Sequence, residues 1–129
     1  MRLYPPVWTT FREPIEDIEI GGYTIPEGTV VSLPQWIIHR DERWYDAPLE
    51  FRPERWVDGD DRPEYAYYPF GGGPRHCIGM RFARMEAQLV VATLAREFAV
   101  ESITDASLDL TASANTLPAE PVKLRLSRR

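Results

Sequence analysis

The residues best equipped for chemistry lie between Pro69 and Gly79, in the run PFGGGPRHCIG. This run holds Cys77, the one cysteine of the chain, behind three consecutive glycines, Pro74, Arg75 and His76. An apolar-rich segment with helical spacing begins at Ile78. A thiol just ahead of a helix start meets backbone N–H groups and the positive end of the helix dipole, which favour the thiolate. A thiolate there acts either as a nucleophile or as a metal ligand. A nucleophile needs a base and an oxyanion site. A ligand to a large flat cofactor needs backbone that passes close by without Cβ atoms in the way, which Gly71, Gly72, Gly73 and Gly79 supply. Arg75 offers a fork of donors to a carboxylate, and Phe70 a ring for an apolar face.

An aromatic ring, glycines, an arginine and a cysteine at this spacing fit a haem held by a cysteine thiolate. Phe70, Gly73, Arg75, Cys77 and Gly79 occupy every fixed position of the pattern F-x-x-G-x-R-x-C-x-G. On that ground the chain resembles the cytochrome P-450 haem-thiolate monooxygenases. The resemblance implies an α+β fold: the C-terminal part of a mostly helical domain, with small β-sheets, an irregular meander, the cysteine-ligand loop and a long helix. It implies haem b (iron protoporphyrin IX) bound through Cys77. Its propionates would be held by Arg75 and, at the position matching another family arginine, by Arg12. The implied reaction inserts one oxygen atom of O2 into an apolar organic substrate, with electrons from a redox partner, a ferredoxin or a flavoprotein reductase. Two alternatives remain open: a non-catalytic haem-thiolate fragment that needs an N-terminal partner, and a haem-thiolate enzyme that uses peroxide.

Other matches extend the resemblance along the chain. Arg2, Leu3, Tyr4, Pro5 and Pro6 fit the end of the helical E-x-x-R motif and the L-x-P-P that commonly follows it. The glutamate of that motif would fall two residues upstream of Met1, so residues 1–129 are expected to form the C-terminal portion of a single larger domain. Arg55, in FRPERW, matches the arginine that closes a buried charge network with that glutamate and with Arg2. With that glutamate outside the chain both arginines are expected to lack their carboxylate, at a cost on the order of 3–5 kcal/mol for a broken buried pair. Val7, Trp8, Thr9 and Thr10 match a segment lining the substrate pocket, and Asn115, Thr116 and Leu117 a turn that dips into it. His39, in the run His39-Arg40-Asp41, could suggest acid–base chemistry but is read as scaffold, a packed or surface histidine. His76 is read as facing the outside of its loop or a redox partner. Arg81 and Arg84 could help to dock an acidic electron donor.

The elements that must position these groups follow from periodicity. Val7 to Phe11 should be extended. Ile18 and Ile20 alternate with charged residues, and Gly21-Gly22 marks a tight turn before Tyr23 to Ile25 returns. Pro26-Glu27-Gly28 makes a second turn into a strand over Thr29 to Leu33. Gln35 to Trp44 is predicted as a short helix, and Leu49 to Trp56 as irregular. Asp58, Asp60 and Asp61 lack the bidentate glutamate of a Ca²⁺ loop and read as a solvated turn. Ile78 to Phe98 is the clearest helix, with Phe82, Met85, Leu89 and Ala92 on one face, and it should be buried on most sides. Weak alternation at Leu108 and Leu110, then at Val122, Leu124 and Leu126, predicts strands joined across residues 113–118.

Bulk properties exclude several classes. With 43% hydrophobic and 27% charged residues the chain is globular rather than disordered. A net charge of −5 leaves no basic footprint for nucleic acid. One cysteine rules out an internal disulfide framework and fits a reducing compartment, so the expected location is cytoplasmic. The sequence contains no apolar run long enough to span a membrane. Twelve prolines imply long irregular connections of the kind that lie against a larger body.

Overall fold

A computed structural model describes residues 1–57, 59, 61–104 and 109–129. The chain divides into two compact units, Met1–Pro69 and Phe70–Arg129. Asp58, Asp60 and Leu108, named above, lie outside the described residues.

The first unit carries four short strands and one helical turn: β1 (Thr10–Arg12), β2 (Ile18–Ile20), β3 (Tyr23–Ile25), β4 (Val31–Leu33) and α1 (Gln35–Ile38). β2 and β3 form the hairpin that Gly21-Gly22 predicts, with Ile20 opposite Tyr23 and both glycines at positive φ. The next strand does not extend that hairpin. β4 is shorter than the predicted Thr29–Leu33 and pairs antiparallel with β1, Thr10 facing Leu33. The Pro26-Glu27-Gly28 turn causes this, because Gly28 N–H donates to the Pro14 carbonyl (3.0 Å) and aims the chain back past the hairpin.

The helix expected over Gln35–Trp44 stops at Ile38. Beyond it the Asp41 carbonyl accepts N–H groups from both Trp44 and Tyr45 (3.0 Å each), a turn rather than a continued helix. Pro53–Trp56 forms one 3₁₀ turn with proline at its start, in a stretch expected to be irregular.

The interior of this unit is small and polar. Tyr45 and Ala66 are its buried hydrophobic residues, joined by a hydrogen bond from the Tyr45 hydroxyl to the Ala66 carbonyl (2.8 Å). Around them Arg2, Thr9, Gln35 and His39 are also buried. Such an interior gains little from apolar transfer and depends on satisfied hydrogen bonds.

The second unit begins with the glycine loop and continues into α2 (Met80–Glu97). Then come β5 (Phe98–Ser102), β6 (Leu110–Ala112), β7 (Thr116–Pro118) and β8 (Leu124–Arg128). β5 pairs with β8 over five residues, and β6 with β7 across a turn at residues 113–115. Asn115 therefore sits in the turn, whereas Thr116 and Leu117 belong to a strand.

α2 corrects one expectation. Its apolar face forms where the periodicity places it, yet none of its residues is buried. Phe82, Met85, Leu89, Val90 and Val91 all keep half or more of their surface exposed. The pattern is that of a buried helix, but the described residues do not cover this face.

Candidate cofactor site

The loop before α2 is held by backbone. Cys77 N–H donates to the Phe70 carbonyl (2.8 Å), closing the segment on itself. Inside it, Gly73–Arg75 makes a 3₁₀ turn whose His76 N–H returns to the Gly73 carbonyl (3.1 Å). Gly71 (φ +73°) and Gly73 (φ +68°) lie in the left-handed region, which side-chain-bearing residues seldom adopt. His76 is exposed and its Nδ1 lies 3.0 Å from the same Gly73 carbonyl, so its ring turns onto the loop.

Cys77 is exposed as a free thiol. A Cβ added at Gly79 would stand 3.8 Å from its Sγ. The glycine thus leaves the sulfur's flank bare where any other residue would place carbon beside it. Phe70 is partly buried and Arg75 is exposed. An accessible sulfur, glycine-bared backbone, an adjacent aromatic and a guanidinium in solvent fit a flat iron porphyrin with carboxylate arms. Among the described residues no group of three or more His, Cys, Asp or Glu could hold a bare metal ion.

In the first unit Arg2 and Arg55 both lie against the ring of Tyr45. Their guanidinium carbons lie 4.8 and 6.0 Å from its centroid. They are satisfied differently from the expectation. Arg2 donates to the carbonyls of His39 (2.8 Å), Pro48 and Glu50 (2.9 Å), and Arg55 to those of Asp46 (3.0 Å) and Ala47 (3.4 Å). Backbone oxygens here do much of the work expected of a carboxylate, although Arg55 Nε stays buried without a partner. Burial, then repulsion from Arg55 and Arg62, lowers the Arg2 pKa. Arg62, which sequence reasoning missed, stacks its guanidinium 4.6 Å from the Tyr45 centroid and 4.5 Å from that of Trp56. A cavity of about 250 Å³ opens beside this cluster, lined in part by Arg2, Arg52, Arg55 and Trp56.

The remaining candidates are spread out. Thr9 is buried with its hydroxyl 2.8 Å from that of Ser32, and the Trp8 carbonyl accepts the Trp36 N–H (3.0 Å). Val7 and Trp8 are half-buried, and Thr10 opens β1. Arg12 ends β1 and donates from NH1 to the Phe11 carbonyl (2.8 Å). Arg81 and Arg84 are exposed on α2.

Comparison with known proteins decides the lineage. The family model described as Cytochrome P450 matches residues 1–126. The chain belongs to the cytochrome P450 family. It is 38% identical to cytochrome P450 3A12 of Canis lupus familiaris and 41% identical to cytochrome P450 3A29 of Sus scrofa. Each alignment covers all of this chain and 26% of the relative. The chain therefore spans about a quarter of the length of these curated P450 relatives. A solved structure, retinoic acid bound cyanobacterial CYP120A1, superposes with a TM-score of 0.91 at 35% identity, covering 99% of this chain and 30% of that one. The α+β architecture, with small antiparallel sheets and a long helix, is that of the C-terminal part of the P450 fold. For P450s as a family this means a haem-iron cofactor, a cysteine thiolate ligand and monooxygenase chemistry. No helix among the described residues is long and apolar enough to cross a membrane.

Proposed function

We propose that this chain is the haem-ligand-bearing C-terminal portion of a P450 monooxygenase that inserts one atom of O2 into an apolar organic substrate. The observation that carries the reading is the closed glycine loop presenting an exposed Cys77 beside the bare flank of Gly79. Cys77 holds the iron. Arg75 and Arg12 take the propionates, and Phe70 packs beside the ligand. Gly71 and Gly73 supply the left-handed bends that let the backbone pass without side chains. Haem, when bound, supplies a redox-active iron at which dioxygen is activated, favoured by electron donation from a thiolate. Val7, Trp8, Thr9, Thr10, Asn115, Thr116 and Leu117 contribute to the substrate lining. Arg2 and Arg55 are structural. Electrons come from a ferredoxin or a flavoprotein reductase.

The exposed apolar face of α2 favours a second element of the reading: residues 1–129 alone do not turn over. Haem titration of the purified chain and of Cys77→Ser, followed by the carbon monoxide difference spectrum of the reduced state, tests both parts. A weak thiolate-type signal that Cys77→Ser abolishes is expected, without substrate oxidation. A signal unchanged by Cys77→Ser overturns the ligand assignment. Tight haem binding with turnover by the chain alone overturns the requirement for further protein.

A further inference from the structure

His39 is fully buried, and its Nε2 accepts the backbone N–H of Tyr68 at 3.0 Å. Its ring packs against those of Tyr67 and Tyr68, with centroids 5.1 and 5.4 Å away. Its own carbonyl accepts from Arg2. With Nε2 as acceptor, the ring proton sits on Nδ1, which is buried and, among the described residues, has no well-formed hydrogen bond, although the Arg2 backbone lies close enough to favour a proton there. One helical turn earlier, Gln35 is likewise buried with both amide atoms unpartnered. We infer that His39 is an acid-labile tie: its neutral imidazole pins Tyr68, two residues before Phe70, and protonation releases that segment by turning the acceptor into a donor facing another donor.

The surroundings set the direction. Cations face the ring: the Met1 amino group, Arg2 and Arg40. Gln35 is neutral, and burial raises the Tyr68 phenol pKa, keeping it neutral. Asp41, the nearest carboxylate along the chain, is committed to Arg43 through two oxygens. Among the described residues no carboxylate acts on the imidazole. Burial first, then these three positive groups, outweighs a backbone hydrogen bond with Arg2 and lowers the His39 pKa from 6.5 to about 4. A base whose folded pKa is depressed favours the closed state fully above its ordinary value, and the advantage fades as pH falls from 6.5 towards 4. His39 and His76 are the two histidines in the sequence, so a His76→Gln variant assigns the imidazole resonances.

The test follows the ¹⁵N and C2–H signals of His39 in the full chain, together with hydrogen-exchange protection of the Tyr68 amide. Expected is an Nδ1–H tautomer at pH 7.5. Tyr68 protection, corrected for intrinsic exchange, should fall roughly 70-fold between pH 7.5 and pH 4.5. His39→Gln keeps an oxygen acceptor near Nε2 and does not titrate, so its protection should be independent of pH over this range. An Nε2–H tautomer, titration of His39 at its ordinary value, or Tyr68 protection unchanged while His39 protonates would each overturn the inference.

Discussion

Replacing Phe82, Met85 and Leu89 together by glutamine should make the isolated chain better behaved rather than less stable. The three occupy one face of α2 at i, i+3 and i+7 and are 65%, 52% and 61% exposed. Together they present a little under two side chains' worth of apolar surface. At about 1.5–3 kcal/mol per fully buried side chain, roughly 3–5 kcal/mol of burial stands unrealised on this face. That surface can be covered only by another body, which in the isolated chain is a second copy or a dye. Glutamine propagates a helix nearly as well as leucine, so far-ultraviolet circular dichroism should be unchanged. Sedimentation velocity under reducing conditions and binding of an apolar fluorescent dye read the effect. The parent chain should self-associate and bind dye. In the triple variant the dissociation constant should rise roughly 100-fold or more, since every 1.4 kcal/mol is tenfold and association costs remain the same. A parent chain that is monomeric and dye-negative refutes the reasoning, and so does a triple variant indistinguishable from it.

Three further outcomes follow from the same geometry. Arg2→Ala removes three hydrogen bonds to carbonyls and a contact with the Tyr45 ring, and should cost about 3–5 kcal/mol. Arg2→Lys should recover less than half of it in tryptophan-monitored urea unfolding, and equal stability of the two variants would contradict the fork geometry. Gly73→Ala meets no atom within 4 Å, so its cost is backbone strain alone, about 1–2 kcal/mol. Faster exchange of the Cys77 amide, with the first-unit amides unaffected, is the expected readout. Gln35→Met should raise the unfolding free energy by about 1 kcal/mol or more, because it removes two buried polar atoms that have no partner among the described residues. A loss of stability would mean that the amide is satisfied after all.

Local signals in the sequence were read well, and non-local ones were not. Gly21-Gly22 announced its hairpin because the turn chemistry is contained in two residues. The cysteine loop was legible because five residue types at fixed spacing encode it. The pairing of β4 with β1 depends on where Gly28 N–H finds the Pro14 carbonyl, which no periodicity records. The helix expected through Trp44 failed for a related reason, since Asp41 binds Arg43 and its backbone turns instead. His39 reads from the sequence as packed or surface, and its burial selects the first. The four-residue spacing sets Gln35 beside it, whereas Tyr68, 29 residues on, carries no sequence signal. Arg62 gave no signal, because an arginine beside aspartates and a proline looks solvated until Trp56 and Tyr45 are seen on either side of it. The apolar stripe of α2 was legible as a pattern. Its exposure was not, because periodicity specifies that a face needs covering without saying which residues cover it.

The sole thiol of the chain lies in the open. One maleimide-linked fluorophore or spin label can therefore be attached with unit stoichiometry at the atom assigned to iron, without engineering out other cysteines. Competition between such a reagent and added porphyrin becomes a direct count of sulfur occupancy, independent of any absorbance band.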